Sequence, residues 1–185
     1  MHGLRVPPAP AGVVRRAAYC LLVKVLGIDP GTAACGYGLV QLDGNRLRAL
    51  AHGTWRTRAG DLPAARLKTI FDGVVDLIAV HEPEAVAMEE SFVGVDARTA
   101  LSVGQARGAV LVASAAHDVP CTEYAPTRVK QAVCGYGRAE KAQVQRMVQS
   151  ILRMEKRPTP DHASDALAVA ICHALAPPLL RAVAG

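Results

Sequence analysis

Nothing in the 185-residue sequence approaches the ~18 consecutive apolar residues that a membrane-spanning helix needs, so no span is read from it. There is no Cys-x-x-Cys pair. The five cysteines, Cys20, Cys35, Cys121, Cys134 and Cys172, are scattered. That pattern argues against zinc modules and disulfide frameworks, and for buried thiols in a reducing cytoplasm. Aromatic residues make up only 4% of the chain and include two phenylalanines, so Phe92, set in a polar segment, stands out. Acid is missing from residues 1–24, which hold Arg5, Arg15, Arg16 and Lys24. The opening "MHGLRVPPAPAGVVRRAAYC" has the twin arginine of some signal peptides, but its apolar part runs into the first strand without a cleavage boundary. Residues 1–22 are therefore read as a loose, mostly disordered basic leader, as a start codon placed too early would give. No repeats or low-complexity segments occur beyond it. A single domain is expected over 23–176, with a short tail at 177–185.

An apolar content of 51% and a mean hydropathy of +0.19 describe a globular chain with a sizeable core. The net charge of +5 is unevenly placed. Residues 25–120 hold 8 basic and 11 acidic side chains, whereas 121–157 hold 8 basic and 3 acidic. An acid-rich first half beside a basic stretch suits a polyanion held next to a carboxylate site. A solvated basic helix face would give the same counts.

Alternation and turn signals predict strands at 23–29, 36–42 and 46–55, with "DGN" at 43–45 as a hairpin turn. A helix follows from Asp61, taken as its N-cap, to a stop at Pro83. A short buried strand spans 84–90, a long helix 96–118 and a fifth strand 121–125. Helices at 126–133, 139–154 and 160–175 complete the chain. Three antiparallel strands followed by βα units give an α/β fold, a mixed five-stranded sheet flanked by helices. This is the element order of the ribonuclease-H-like fold.

In "VKVLGIDPGTAACGYGLV" an apolar strand ends in Asp29. A charge there is costly unless something pairs with it, although Asp-Pro-Gly is also an ordinary turn sequence. If strands one and four are neighbours, Asp29 and Glu89 emerge together, where open α/β sheets place their ligands. The last helix opens with "TPDHASDAL", in which His162 and Asp165, and also Asp161 and Asp165, share a face. Asp161 reads more naturally as a first-turn acid. Several ionised acids in one small volume call for divalent cations. Oxygen-rich ligands select Mg2+ or Mn2+, and a pair of such ions clamps a phosphodiester. Lys130, Arg138 and Lys141 flank the turn "CGYGRAEK" that opens a helix, a setting suited to phosphate contacts. Gly104 and Gly108 form a Gly-x-x-x-Gly that serves either tight packing against the sheet or a dimer contact.

The segments "LGIDPGTAACGYGLV", "VAMEESFV", "VGQARGAVLVA", "EYAPTRVKQAVCGYGRAEKAQVQRMV" and "DHASDALAVAICH", collinear from Val25 to about Leu175, resemble the RuvC family of Holliday-junction resolvases. The resemblance implies a ribonuclease-H-like homodimer that nicks two opposing strands of a four-way DNA junction with Mg2+ or Mn2+. It also implies RuvA and RuvB branch-migration proteins as partners. It matches Asp29, Glu89 and Asp165 to the family's carboxylates, and sets His162 where an aspartate is frequent. It implies that Phe92 stacks on or wedges between bases near the junction centre. Glu90 stands where a glutamine is common. An imidazole among the ligands predicts stronger activation by Mn2+ than by Mg2+.

Overall fold

The structure, a computed structural model, describes residues 22–90 and 96–177. The expected leader and tail lie outside these residues, except for Leu22 and Pro177. Three strands come first: β1 (Leu22–Asp29), β2 (Ala34–Asp43) and β3 (Arg46–Arg56). Then follow α1 (Pro63–His81), β4 (Ala85–Glu89), α2 (Ala97–Ala115) and β5 (Cys121–Tyr124). The chain closes with α3 (Pro126–Cys134), α4 (Lys141–Ile151) and α5 (Asp161–Ala174). The sheet order is β3-β2-β1-β4-β5, with β1, β4 and β5 parallel and β2 antiparallel to both of its neighbours. The mixed five-stranded sheet expected from the element order is present.

Because side chains alternate along a strand, β1 sends Leu26 and Ile28 one way and Val25, Gly27 and Asp29 the other. On the first face, Leu26, Ile28, Leu39, Val86 and Met88 pack with Ile70, Val74 and Ile78 of α1 and with Ala106, Val110 and Ala113 of α2. On the second face, α5 lies directly on the sheet. A methyl group at Gly27, Gly36 or Gly38 would overlap Ala166, His162 or Leu167 of α5. From Ala166 to Ala174 every residue of α5 is buried, with α3 and α4 covering its outer side through Val129, Val133, Val144 and Val148. A helix apolar all round is one enclosed on all sides. Its exposed or half-exposed residues, Asp161, His162 and Asp165, are confined to the start.

Three expectations need correction. Asp61 is not the N-cap of α1: that position is Leu62, without a side-chain cap, and Pro63 starts the helix. The Asp61 carboxylate instead accepts the Arg58 N–H at 3.2 Å, closing the turn before the helix. Helices α2 and α4 end at Ala115 and Ile151, each three residues early, and Asp118 takes a left-handed conformation with φ 55°. Nor does Gly104-x-x-x-Gly108 pack against the sheet, since a Cβ at either glycine would meet only open space.

Candidate active site

Strands β1 and β4 pair in parallel up to Ile28 opposite Met88. Asp29 and Glu89 are the next residues of each strand, on the face covered by α5. The close approach at Gly36 sets the first turn of α5 over the end of β2 and brings His162 to Asp29, with Nδ1 2.6 Å from Oδ2. An ionised carboxylate only accepts, so with Asp29 ionised Nδ1 is the donor in this contact. Asp165, one turn further along, accepts a hydrogen bond from Lys141 Nζ at 3.0 Å. Lys141 is the first residue of α4 and also reaches Asp161, at 3.4 Å.

Glu89, Lys130, Lys141 and Asp165 line a cleft of about 230 Å³ whose apolar wall includes Val129 and Val144. The main-chain carbonyl of Glu89 accepts a hydrogen bond from Arg107 at 3.0 Å, and the same guanidinium pairs with Glu123 of β5 at 2.5 Å. Helix α2 thus fixes the ends of β4 and β5 together.

The acids at this sheet edge sense one another. Burial, then the charges of Asp29 and Asp165, push the Glu89 carboxyl up to about 7. Burial raises Asp29 as well, against the lowering effect of the His162 hydrogen bond, and Asp165 adds to the rise. Burial pulls Lys141 down, but the hydrogen bond and charge of Asp165 outweigh it, and its pKa is raised. Asp161 differs: it is exposed, and a 2.9 Å hydrogen bond from Gln145, followed by the charge of Lys141, holds its carboxyl below the usual range.

Asp29, Glu89 and Asp165 therefore share one electrostatic neighbourhood, and His162 joins it through Asp29. Asp161 faces α4 instead. Lys130 borders the cleft, Arg138 is exposed on the α3–α4 connection, and Phe92 lies outside the described residues. Among the described residues no three His, Cys, Asp or Glu side chains stand close enough to ligate one ion as placed. The donor chemistry nonetheless fits a divalent cation, since three mutually repelling carboxylates and an imidazole favour Mg2+ or Mn2+. Among the described residues the cysteines offer no rival site. Burial pushes the Cys35 thiol up to about 12 and that of Cys172 up to about 11, so both stay protonated.

Sequence reasoning did not anticipate that Lys141 would be held by carboxylates, or that Gln145 would turn Asp161 aside. The i,i+4 spacing of Lys141 and Gln145 on α4 was a usable signal, because it puts both on one face.

A sequence profile described as "Crossover junction endodeoxyribonuclease RuvC" matches residues 25–173. The chain is 54% identical to the crossover junction endodeoxyribonuclease RuvC of Moorella thermoacetica over 150 residues, covering 81% of this chain and 90% of that protein. It is 56% identical to the protein of the same name from Heliobacterium modesticaldum over 148 residues, covering 80% and 91%. Among solved structures it is similar to Thermus thermophilus RuvC in complex with Holliday junction substrate, with a TM-score of 0.79, 40% identity and coverage of 82% and 93%.

Proposed function

The chain belongs to the RuvC family of crossover junction endodeoxyribonucleases, and from that premise we propose that it resolves four-way DNA junctions by paired, symmetric, metal-dependent nicks. The observation that carries this reading is the gathering of Asp29, Glu89 and Asp165 at the ends of β1 and β4 and the start of α5. Each raises or feels the charge of another. Asp29, Glu89, His162 and Asp165 would hold the cation, and two ions per site suit a phosphodiester. When bound, a divalent cation supplies Lewis acidity that activates water and neutralises charge developing on the phosphodiester.

The protein's own groups do the rest. Asp29 holds the His162 ring in place beside the carboxylates, and a ring nitrogen would join them as a ligand. Lys141 pairs with Asp165 and lines the cleft, where its ammonium would lie close to a bound phosphate. Lys130 and Arg138 hold adjacent phosphates and so position DNA without reading its sequence. Phe92 stacks on bases near the junction centre.

A two-fold dimer matches a two-fold junction. The outward face of α2, with Leu101, Gly104, Leu111 and Val112 exposed, supports this helix as the dimer contact. Action in the cytoplasm with RuvA and RuvB completes the reading. The test is incubation of the purified protein with a synthetic four-way junction or a linear duplex and each metal. Paired nicks in the junction alone are expected. Asp29→Asn should bind the junction with ordinary affinity and show no cleavage; persistent cleavage by this variant would remove Asp29 from the chemistry.

A further inference from the structure

The basic stretch of the sequence divides in the fold. Lys130, Arg138 and Lys141 belong to the carboxylate cleft and its rim. The later cations, Arg153, Lys156 and Arg157, lie on the connection from α4 to α5, and that connection runs along β3, the edge strand of the sheet. Between them is an open groove of about 650 Å³, lined by Arg48, Leu50 and His52 on one side and Arg153, Lys156 and Arg157 on the other.

The charge of this groove is unbalanced. Arg48, Arg153, Lys156 and Arg157 are all exposed, and none forms an ion pair among the described residues. Arg48 donates one hydrogen bond, at 3.0 Å, to the neutral side chain of Gln41. Glu155 is the one acid in the lining. Clustered like charges repel and destabilise the fold unless an anion relieves them.

The walls are also fixed in place. Leu152 and Pro158 anchor the connection by burial. The Gln149 amide donates to the carbonyls of both Met154 and Glu155, each at 3.3 Å, and the Met154 N–H returns a bond to Gln149 O at 3.0 Å. On the other wall the β2–β3 ladder shifts register between Leu39 and Val40, so that Leu50 has no partner across the pair. Such a bulge bends and twists an edge strand. Arginine and histidine on this edge do more than block strand addition: they face a preformed trough whose lining also includes the apolar Ala49 and Leu50.

We propose that this groove binds the sugar–phosphate backbone of a double-stranded arm of the junction, outside the cleft, as a second contact that positions substrate and takes no part in the chemistry. The inference rests on the junction-cleaving function proposed above. An open trough with unpaired arginine and lysine along both walls suits a run of phosphates better than an enclosed small molecule. Thr159 lines the groove, and α5 opens two residues later with Asp161 and His162. An arm held here is therefore tied to the helix that carries His162 and Asp165.

The experiment compares the unmodified protein with the Arg153→Ala/Lys156→Ala/Arg157→Ala variant. Junction binding is measured by fluorescence anisotropy over a series of salt concentrations, and single-turnover cleavage at saturating protein. Binding should weaken by about tenfold or more, and the slope of log K against log salt should become shallower by about 2–3. Cleavage at saturation should stay within about twofold, since phosphate contacts position without reacting. Arg48→Gln, on the opposite wall, should lower the slope by about 1.

An unchanged affinity and slope would overturn the proposal. So would retained affinity with lost cleavage at saturation, because the connection would then act only on α5. If the unmodified protein itself cleaves no junction, the proposed function fails, and the salt slopes measured on linear duplex still decide whether the groove binds DNA. If it cleaves normally and the variant matches it throughout, the groove alone is refuted.

Discussion

The two faces of the sheet are built from different materials. Toward α1 and α2 the strands present Leu26, Ile28, Leu39 and Met88, all fully buried, and the helices stand off by the thickness of those side chains. Toward α5 they present Gly27, Gly36 and Gly38 among Val25, Val40 and Ala87, and at the glycines the helix meets strand directly. The first face supplies apolar burial, which is non-directional and tolerates exchange of one aliphatic group for another. The second also fixes position: with no side chain between Gly36 and the His162 main chain, the place of His162 relative to Asp29 is set to within a fraction of a side chain.

Matched substitutions break this comparison most sharply. Gly36→Val drives a branched side chain into the His162 main chain, and the start of α5 must move. A displacement of ~1 Å at a catalytic group costs about 100-fold in rate, so cleavage should fall by at least that much. Leu39→Ala on the opposite face should lower stability by about 2–5 kcal/mol while leaving the cleavage rate of the folded protein nearly unchanged. Thermal unfolding and single-turnover junction cleavage of both variants check this. Equal losses of rate would show that the two faces do not divide the work in this way.

The difference between the faces also explains what could be read from the sequence. The strands announced themselves by period, and three strands before the βα units pointed to a mixed sheet, but the full order β3-β2-β1-β4-β5 was not read from the sequence. Asp29 and Glu89 were legible because each ends an apolar strand. The start of α5 was harder. Spacing put Asp161, His162 and Asp165 on overlapping helix faces, and choosing among them required knowing that Gln145 and Lys141 approach from α4, a contact between segments that no local pattern encodes. Glycine carries no such signal at all: Gly36 and Gly38 look like weak strand residues until a helix is seen lying on them. For Gly104 and Gly108 the same residue type led the other way, since they face open space.

A second test uses charge, which the aliphatic face buries none of. The Glu89 carboxyl, raised from 4.5 to about 7 by burial and by Asp29 and Asp165, takes up a proton more readily in the folded protein than in the unfolded chain. Its contribution to stability is therefore fully present below pH 4.5 and lost as the pH rises through about 7. Asp29, also raised, acts in the same direction. Because Glu89 is partly open to solvent, its contribution is about 1–2 kcal/mol after allowance for screening. Mn2+ or Mg2+ should then raise the unfolding temperature of the metal-free protein clearly at pH 8 and little at pH 5, where protons compete with the metal for its ligands. Leu39→Ala should keep that difference and Glu89→Gln should shrink it. The same metal-induced shift at both pH values would separate Glu89 from the cation site.

The smallest effect concerns which cation the site prefers. Only one of the four expected ligands brings nitrogen, and it sits on the glycine-apposed helix start. Mg2+ prefers oxygen donors and its own water, whereas Mn2+ accepts an imidazole more readily. The 2.6 Å contact with Asp29 fixes the His162 ring beside the carboxylates. Cleavage at limiting metal should therefore be several-fold faster with Mn2+ than with Mg2+ in the unmodified protein. His162→Asp restores an all-oxygen set and adds a negative charge beside Asp29, so it should bring the two rates together chiefly by raising the Mg2+ rate. Titrating both metals against both proteins separates ligand chemistry from position: if Mn2+ keeps its advantage without the imidazole, the preference comes from the spacing that Gly36 imposes on the helix and not from the nitrogen it presents.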